Sequence, residues 1–249
     1  MHPSLLTVVW LLGLASGLAA QDQSALADSL LQGDIEARIR AVTATERIPA
    51  GDVSPQLRDA LRSNLRWWVD RPRPFTGGSE WEGEAYAFSV AAVARLEDPA
   101  TIPELILSIN TGNRVANALA AMKPESYPQV IAVIESSDAA PGQVGGALLT
   151  LSKMASGELG EPLSTDEEAR VAQGCLDLLE AEQDFGVLLA LPRTIVAISD
   201  RRLLERFRAI VGDPSALQRL GVPREHIEDY RRVVRLAGIG PQSAQGLPN

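Results

Sequence analysis

The residues of this 249-residue chain best suited to recognition chemistry are crowded into one stretch, Arg66-Trp67-Trp68-Val69-Asp70-Arg71-Pro72-Arg73-Pro74-Phe75-Thr76-Gly77-Gly78-Ser79-Glu80-Trp81. Every tryptophan except Trp10 lies there. An indole ring buries a large rigid area, and a guanidinium group makes forked hydrogen bonds, so the two together suit a binding hot spot. Arg62, Arg66, Trp67, Arg71, Arg73, Phe75 and Trp81 form the expected contact set. Pro72, Pro74, Gly77 and Gly78 make residues 69–83 a long loop, and loops of that length in compact domains are disproportionately functional. The competing reading is structural: Trp68 completes a core stripe and Trp81 plugs the loop onto the next helix, because aromatic rings fill cores first. Trp67, one residue round the helix from Trp68, is expected to be at least partly exposed.

Other candidate chemistry is sparser. Arg58, Arg62 and Arg66 recur every four residues and make one basic ridge on a helix, suited to an anion or an acidic partner and extended by Arg71 and Arg73. Glu80, Glu82 and Glu84 offer carboxylates beside aromatics, as a glycan-cleaving acid and base would require, although the favourable dipole of a helix entry explains them equally. After the N-terminal apolar run His226 is the one histidine, with no Cys or His beside it in sequence, which disfavours a zinc site and Ser-His or Cys-His chemistry. Cys175 sits in an apolar stripe and reads as packing. No metal and no cofactor is expected, and no catalysis.

Helices must position these groups. Apolar residues recur every three or four positions along most of the chain, with no strictly alternating window, so the expectation is all-α, with at least nine helices. Ser54-Pro55 starts one helix, with Leu57, Leu61, Leu65 and Trp68 on its inner face. Thr165 and Glu168 have capping-box spacing ahead of Val171, Cys175, Leu178 and Leu179. Ser199 is placed to cap a helix bearing Leu203, Leu204, Phe207 and Ile210, and a last helix from about Pro223 turns Ile227, Tyr230, Val234 and Ala237 inward. Residues 238–249, rich in Gly, Pro, Gln and Ser, read as a frayed tail. At the other end, the uncharged run Leu5 to Leu14 is too short to span a bilayer. The small residues that follow it suit signal peptidase, so residues 1–20 read as a secretory signal with a cut near Ala20.

Charge narrows the partners. With 23 basic against 32 acidic residues the net charge is -9, which disfavours a nucleic-acid-coating or membrane-surface protein. The distribution is uneven: eight basic residues balance eight acidic ones over 21–78, eighteen acidic face six basic over 79–199, and nine basic face six acidic over 200–249. The lone Cys175 excludes an intramolecular disulfide, and no cysteine near the N-terminus could carry a lipid. The expectation is therefore an exported protein, periplasmic or secreted, with no lipid anchor and no membrane insertion once the signal is removed.

Pro99-Ala100-Thr101-Ile102-Pro103-Glu104-Leu105-Ile106 aligns with Pro124-Glu125-Ser126-Tyr127-Pro128-Gln129-Val130-Ile131, twenty-five residues on, with an alanine-rich helix before each copy. In each, the first proline should end one helix and the second begin the next. With Ala91-Ala92-Val93-Ala94-Arg95-Leu96 and the Asp98-Pro99 turn, this segment resembles a HEAT repeat of the short bacterial exported type, and Gly33-Asp34 followed by Glu36-Ala37-Arg38 resembles another repeat boundary. The resemblance implies a right-handed α-solenoid of stacked antiparallel helix pairs, HEAT/armadillo-like, over residues 21–237, and a scaffolding role rather than catalysis. Leu236-Ala237-Gly238-Ile239-Gly240-Pro241 resembles the hairpin of helix-hairpin-helix DNA-binding modules, but the chain ends before a second helix, so the glycines read as a helix terminator and nucleic acid is not an expected partner. The function expected is protein binding through the Trp/Arg loop; the alternatives are a glycan-binding module of the cell envelope or a carboxylate-dependent glycan-cleaving enzyme.

Overall fold

The computed structural model describes residues 22–71 and 80–240, without the side chains of residues 80 and 81. Residues 1–20, Arg73, Phe75 and most of the C-terminal tail lie outside the described residues, and so does the Trp81 side chain. Among the described residues there are thirteen α-helices and no strand, as the spacing of apolar residues demands. The chain divides into two compact units, one ending at Leu105 and the other beginning at Ile106.

The first unit contains α1 (22–32), α2 (Ile35–Thr45), α3 (Pro55–Asp70), α4 (Glu80–Ala94) and the start of the short α5 (Ile102–Leu107). Asp34 caps α2 by accepting from Ala37 N–H at 2.8 Å, and Ser54 caps α3 ahead of Pro55, as its sequence requires. Leu57, Leu61, Leu65 and Trp68 are all buried on α3. Helix α4 packs against both α2 and α3 and presents Ala85, Val90, Ala92 and Val93 to the core, small residues that let the backbones approach closely. One buried polar chain crosses all three helices. Arg38 donates to Asn64 Oδ1 at 3.2 Å, Asn64 Nδ2 donates to Ser89 Oγ at 3.0 Å, and Ser89 donates to Ala85 O at 3.0 Å.

The second unit holds α6 (Asn113–Ala121), α7 (Lys123–Glu135), α8 (Pro141–Ser156), α9 (Thr165–Leu178), α10 (Phe185–Ile198), α11 (Arg201–Gly212), α12 (Pro214–Leu220) and α13 (Ile227–Leu236). Helix α8 packs on α6, α7 and α10, while α10 also meets α9, α11 and α13. Gly146 lets α8 also approach the Ile109–Thr111 turn that precedes α6: a Cβ there would collide with the Ile109 carbonyl. Thr194 Oγ1 ties α10 to α8 through Leu148 O at 2.9 Å, and Tyr230 Oη ties α13 to α10 through Leu188 O at 3.1 Å.

Several boundaries differ from the sequence expectation. The second proline of the repeat does not begin a helix in the second copy. Helix α7 starts at Lys123 with Pro124 in its first turn, and Pro128 lies inside it. As the sixth residue Pro128 is past the first turn and forfeits the one backbone hydrogen bond that an N–H there would donate to the Pro124 carbonyl. The capping box is Ser164 with Glu167, one residue before the expected pair, and Asp200 rather than Ser199 caps α11. Ser199 instead ends α10 in a left-handed conformation. Gly238, at φ 91°, terminates α13 as a glycine terminator should.

Candidate functional site

Helix α3 carries the basic ridge, and the four-residue spacing places its guanidinium groups in line. None of the three is unpaired. Arg58 donates to Asp98 Oδ2 at 3.1 Å and also to the carbonyls of Val53 and Ala50 at 3.0 Å each, so it closes the turn before α3. Arg62 meets Glu104 at 3.4 Å and Asp59 at 3.5 Å, and Arg66 reaches the other Glu104 oxygen at 4.0 Å. The acidic counterpart that sequence assigns to a partner is thus supplied in part by the chain itself. Glu104 is the anchor, with a side chain 8% exposed against 55% for Arg66. The Asp98 carboxyl is held below the ordinary aspartate range, chiefly by the Ala100 N–H and then by the Arg58 guanidinium, which together outweigh burial.

At the end of the ridge the two tryptophans separate in role. Trp68 is buried at 8% exposure, whereas Trp67 is half-buried, the two rings meeting edge to face with centroids 4.9 Å apart and planes at 82°. Two guanidinium groups lie over the Trp67 ring, Arg38 at 4.3 Å and Arg71 at 4.4 Å from its centroid. This geometry places cations against the negative face of the indole. Arg38 is itself buried, without a carboxylate partner among the described residues, and bonded to the carbonyls of Leu30, Leu31 and Gly33 at the end of α1. Burial, and then the nearby Arg71 charge, lower its pKa from the ordinary arginine value. Asp59, Arg62, Ser63, Arg66, Trp67, Asp70 and Glu104 border one open cleft of about 520 Å³. The structure therefore brings Arg62, Arg66, Trp67 and Arg71 together, and of the expected set Arg73, Phe75 and the Trp81 side chain lie outside the described residues. Arg38 and Glu104 belong to this cluster and are missed by sequence reasoning. Their only sequence signal is their place in the repeat pattern, Arg38 beside the Gly33-Asp34 boundary and Glu104 inside the first copy.

The remaining candidates stand apart. Glu82 is half-buried and Glu84 exposed on α4. His226 stacks on Phe185 with centroids 5.6 Å apart. Cys175 is fully buried, and desolvation pushes its thiol up to about 12. Among the described residues no group of three His, Cys, Asp or Glu could hold a metal ion, and no helix is long and apolar enough to cross a membrane. The chain matches no family model, no curated protein and no solved structure.

Proposed function

We propose that this chain is an exported, non-catalytic scaffold, its helices stacked as a right-handed HEAT-like solenoid, that receives a protein partner on the cleft beside Trp67. The observation that carries the reading is a half-exposed tryptophan already held in place by Arg38 and Arg71, next to a cleft edged by Arg62 and Arg66. Ordering an anchor before the partner arrives lowers the entropy cost of association, which is what distinguishes a hot spot from an ordinary surface aromatic. Mixed charge at the rim, with Asp59 and Asp70 beside the arginines, suits a polar protein surface. The glycan-binding alternative requires an open ring face for a sugar, and guanidinium groups already lie over the Trp67 ring. For the glycan-cleaving alternative, Glu82 and Glu84 are two residues apart on α4 and do not face each other, while the side chain of Glu80, four residues before Glu84, lies outside the described residues.

The test is photo-crosslinking from position 63, an exposed serine at the cleft edge, in extracts of the source cells. A discrete protein adduct, competed by the unlabelled chain and lost in Trp67→Ala and Arg66→Glu, is the expected outcome. No adduct, or one indifferent to both substitutions, overturns the reading. Saturable binding of cell-wall fragments without turnover would favour the glycan module instead, and product formation the enzyme.

A further inference from the structure

The C-terminal helices carry a second arginine cluster with a different character. Most arginines there have a carboxylate: Arg201 with Glu205 at 2.8 Å, Arg206 with Glu180 at 3.1 Å, Arg219 with Asp213 at 3.8 Å, Arg231 with Glu228 at 2.8 Å and Arg232 with Asp229 at 3.8 Å. Arg208 on α11 and Arg235 on α13 have none among the described residues, and these two line the same cleft, of about 280 Å³, together with Arg231. The Arg208 Nε is buried and meets no acceptor among the described residues. Arg231 is immobilised, donating to Val211 O at 3.0 Å, to Gly212 O at 3.1 Å and to Glu228. Among the described residues Glu228 is the one carboxylate of the cleft and is already taken, so two guanidinium charges remain there without a counter-ion. Val211, Val234 and Ile239 supply an apolar wall beside them.

Like charges gathered round a concavity repel each other, and an unpaired buried donor is costly, unless an anion completes the arrangement. The surplus of two charges matches a dianion better than a single carboxylate. A phosphate monoester carries about -1.5 to -2 at neutral pH and presents three strong acceptor oxygens to forked donors. The cleft lies just below the range of about 300–1,000 Å³ typical of drug-sized ligands, so it suits a phosphate with a small organic group rather than a nucleotide. We infer that the Arg208–Arg231–Arg235 cleft binds a phosphate monoester, whether free in solution or borne on a lipid headgroup.

Calorimetric titration of the full chain with glycerol 3-phosphate and inorganic phosphate, at pH 7.5 and constant ionic strength, tests this directly. Co-sedimentation with phosphatidylcholine vesicles, with and without phosphatidic acid, distinguishes the source: uptake by phosphatidic acid vesicles alone assigns a headgroup, and binding of soluble phosphate assigns a free ligand. Saturable binding with Kd below about 1 mM is expected. Arg235→Gln, at an exposed position, and Arg208→Gln should each weaken it about tenfold, as loss of one charge-assisted contact does. Arg202→Gln, exposed and outside the cleft, should leave it unchanged. Binding should also weaken below about pH 6 as the phosphate takes up its second proton. The inference is overturned if neither soluble phosphate nor phosphatidic acid vesicles bind, if acetate binds as tightly, or if Arg202→Gln weakens binding as much as Arg208→Gln and Arg235→Gln. Thermal melts without ligand check that both cleft variants remain folded.

Discussion

Trp67 and Trp68 are adjacent in sequence and do opposite work, because a step of about 100° round a helix turns one ring into the core and leaves the other at its edge. Trp68→Ala removes a buried ring from the Leu57-Leu61-Leu65 stripe and should cost about 3–5 kcal/mol of folding stability. Trp67→Ala forfeits cation–π contacts and a partly buried face, for which about 1–2 kcal/mol is the expected loss. Paired chemical denaturation of the two variants checks the ordering, and equal losses would make Trp67 a core residue after all. Cys175 illustrates the other extreme. Desolvation holds its thiol near 12, so at pH 8 almost none is thiolate, the form that reacts. A disulfide-exchange reagent should leave the native protein unlabelled and titrate one thiol per chain in denaturant; rapid native labelling would contradict the buried assignment.

At the scale of elements, three arginines reach back to the carbonyls at the ends of earlier helices. Arg38 takes the last carbonyls of α1, Arg95 those of Thr45 and Ile48 after α2 at 2.7 and 2.8 Å, and Arg231 those of Val211 and Gly212 on α11. Arg38 and Arg231 reach from a later helix and Arg95 from the turn after α4, so each both satisfies orphan carbonyls and fixes how two elements meet. Arg38→Met should therefore cost about 2–3 kcal/mol, as it strands three carbonyls and Asn64 Oδ1. Arg38→Lys should recover little, because an ammonium lacks the planar fork. Urea melts of both variants decide it, and full rescue by lysine would reduce the role of Arg38 to charge alone. Such reaches were not legible in the sequence. Periodicity exposed the α3 stripe, the Ser54-Pro55 start and the all-helical class, since these depend on neighbours three or four residues away. The Arg62–Glu104 and Arg38–Trp67 contacts join positions 42 and 29 residues apart, which no local pattern encodes. Cap positions slipped by one residue at α9 and α11 because Ser-Thr and Ser-Asp pairs offer two acceptors in succession, and backbone geometry chooses between them.

For the molecule as a whole, acid is the condition that tests how its ion pairs are used. The chain carries a net charge of -9 and has an isoelectric point near 4.8, yet stability is governed by individual carboxylates rather than by that crossing. Three are held below their ordinary values. Asp98, in the first unit, is lowered by the Ala100 N–H and Arg58. Glu135, in the second, is lowered by a forked pair with Arg170 at 2.7 and 2.6 Å. Glu167, also in the second, is lowered because Lys123 and Ser164 outweigh a burial that alone would raise it. A carboxyl whose folded pKa lies below its unfolded value stabilises the fold fully above that unfolded value, 3.8 for aspartate and 4.5 for glutamate here, and loses the contribution as pH falls through the folded one. The denaturation midpoint should accordingly stay level from pH 7 to about 5 and drop steeply below about 4.5. Since Asp98 and Glu135 sit in different compact units, the drop has two separable sources. Asp98→Asn should lower stability at pH 7 and flatten the acid limb of the first unit's transition, and Glu135→Gln should do the same for the second. Followed through tryptophan fluorescence for the first unit, which holds every tryptophan, and hydrogen exchange of α8 and α10 for the second, the substitutions should act on their own signals. A single acid limb, moved equally by either substitution in both signals, would show that the two units unfold as one and that their ion pairs stabilise a common state.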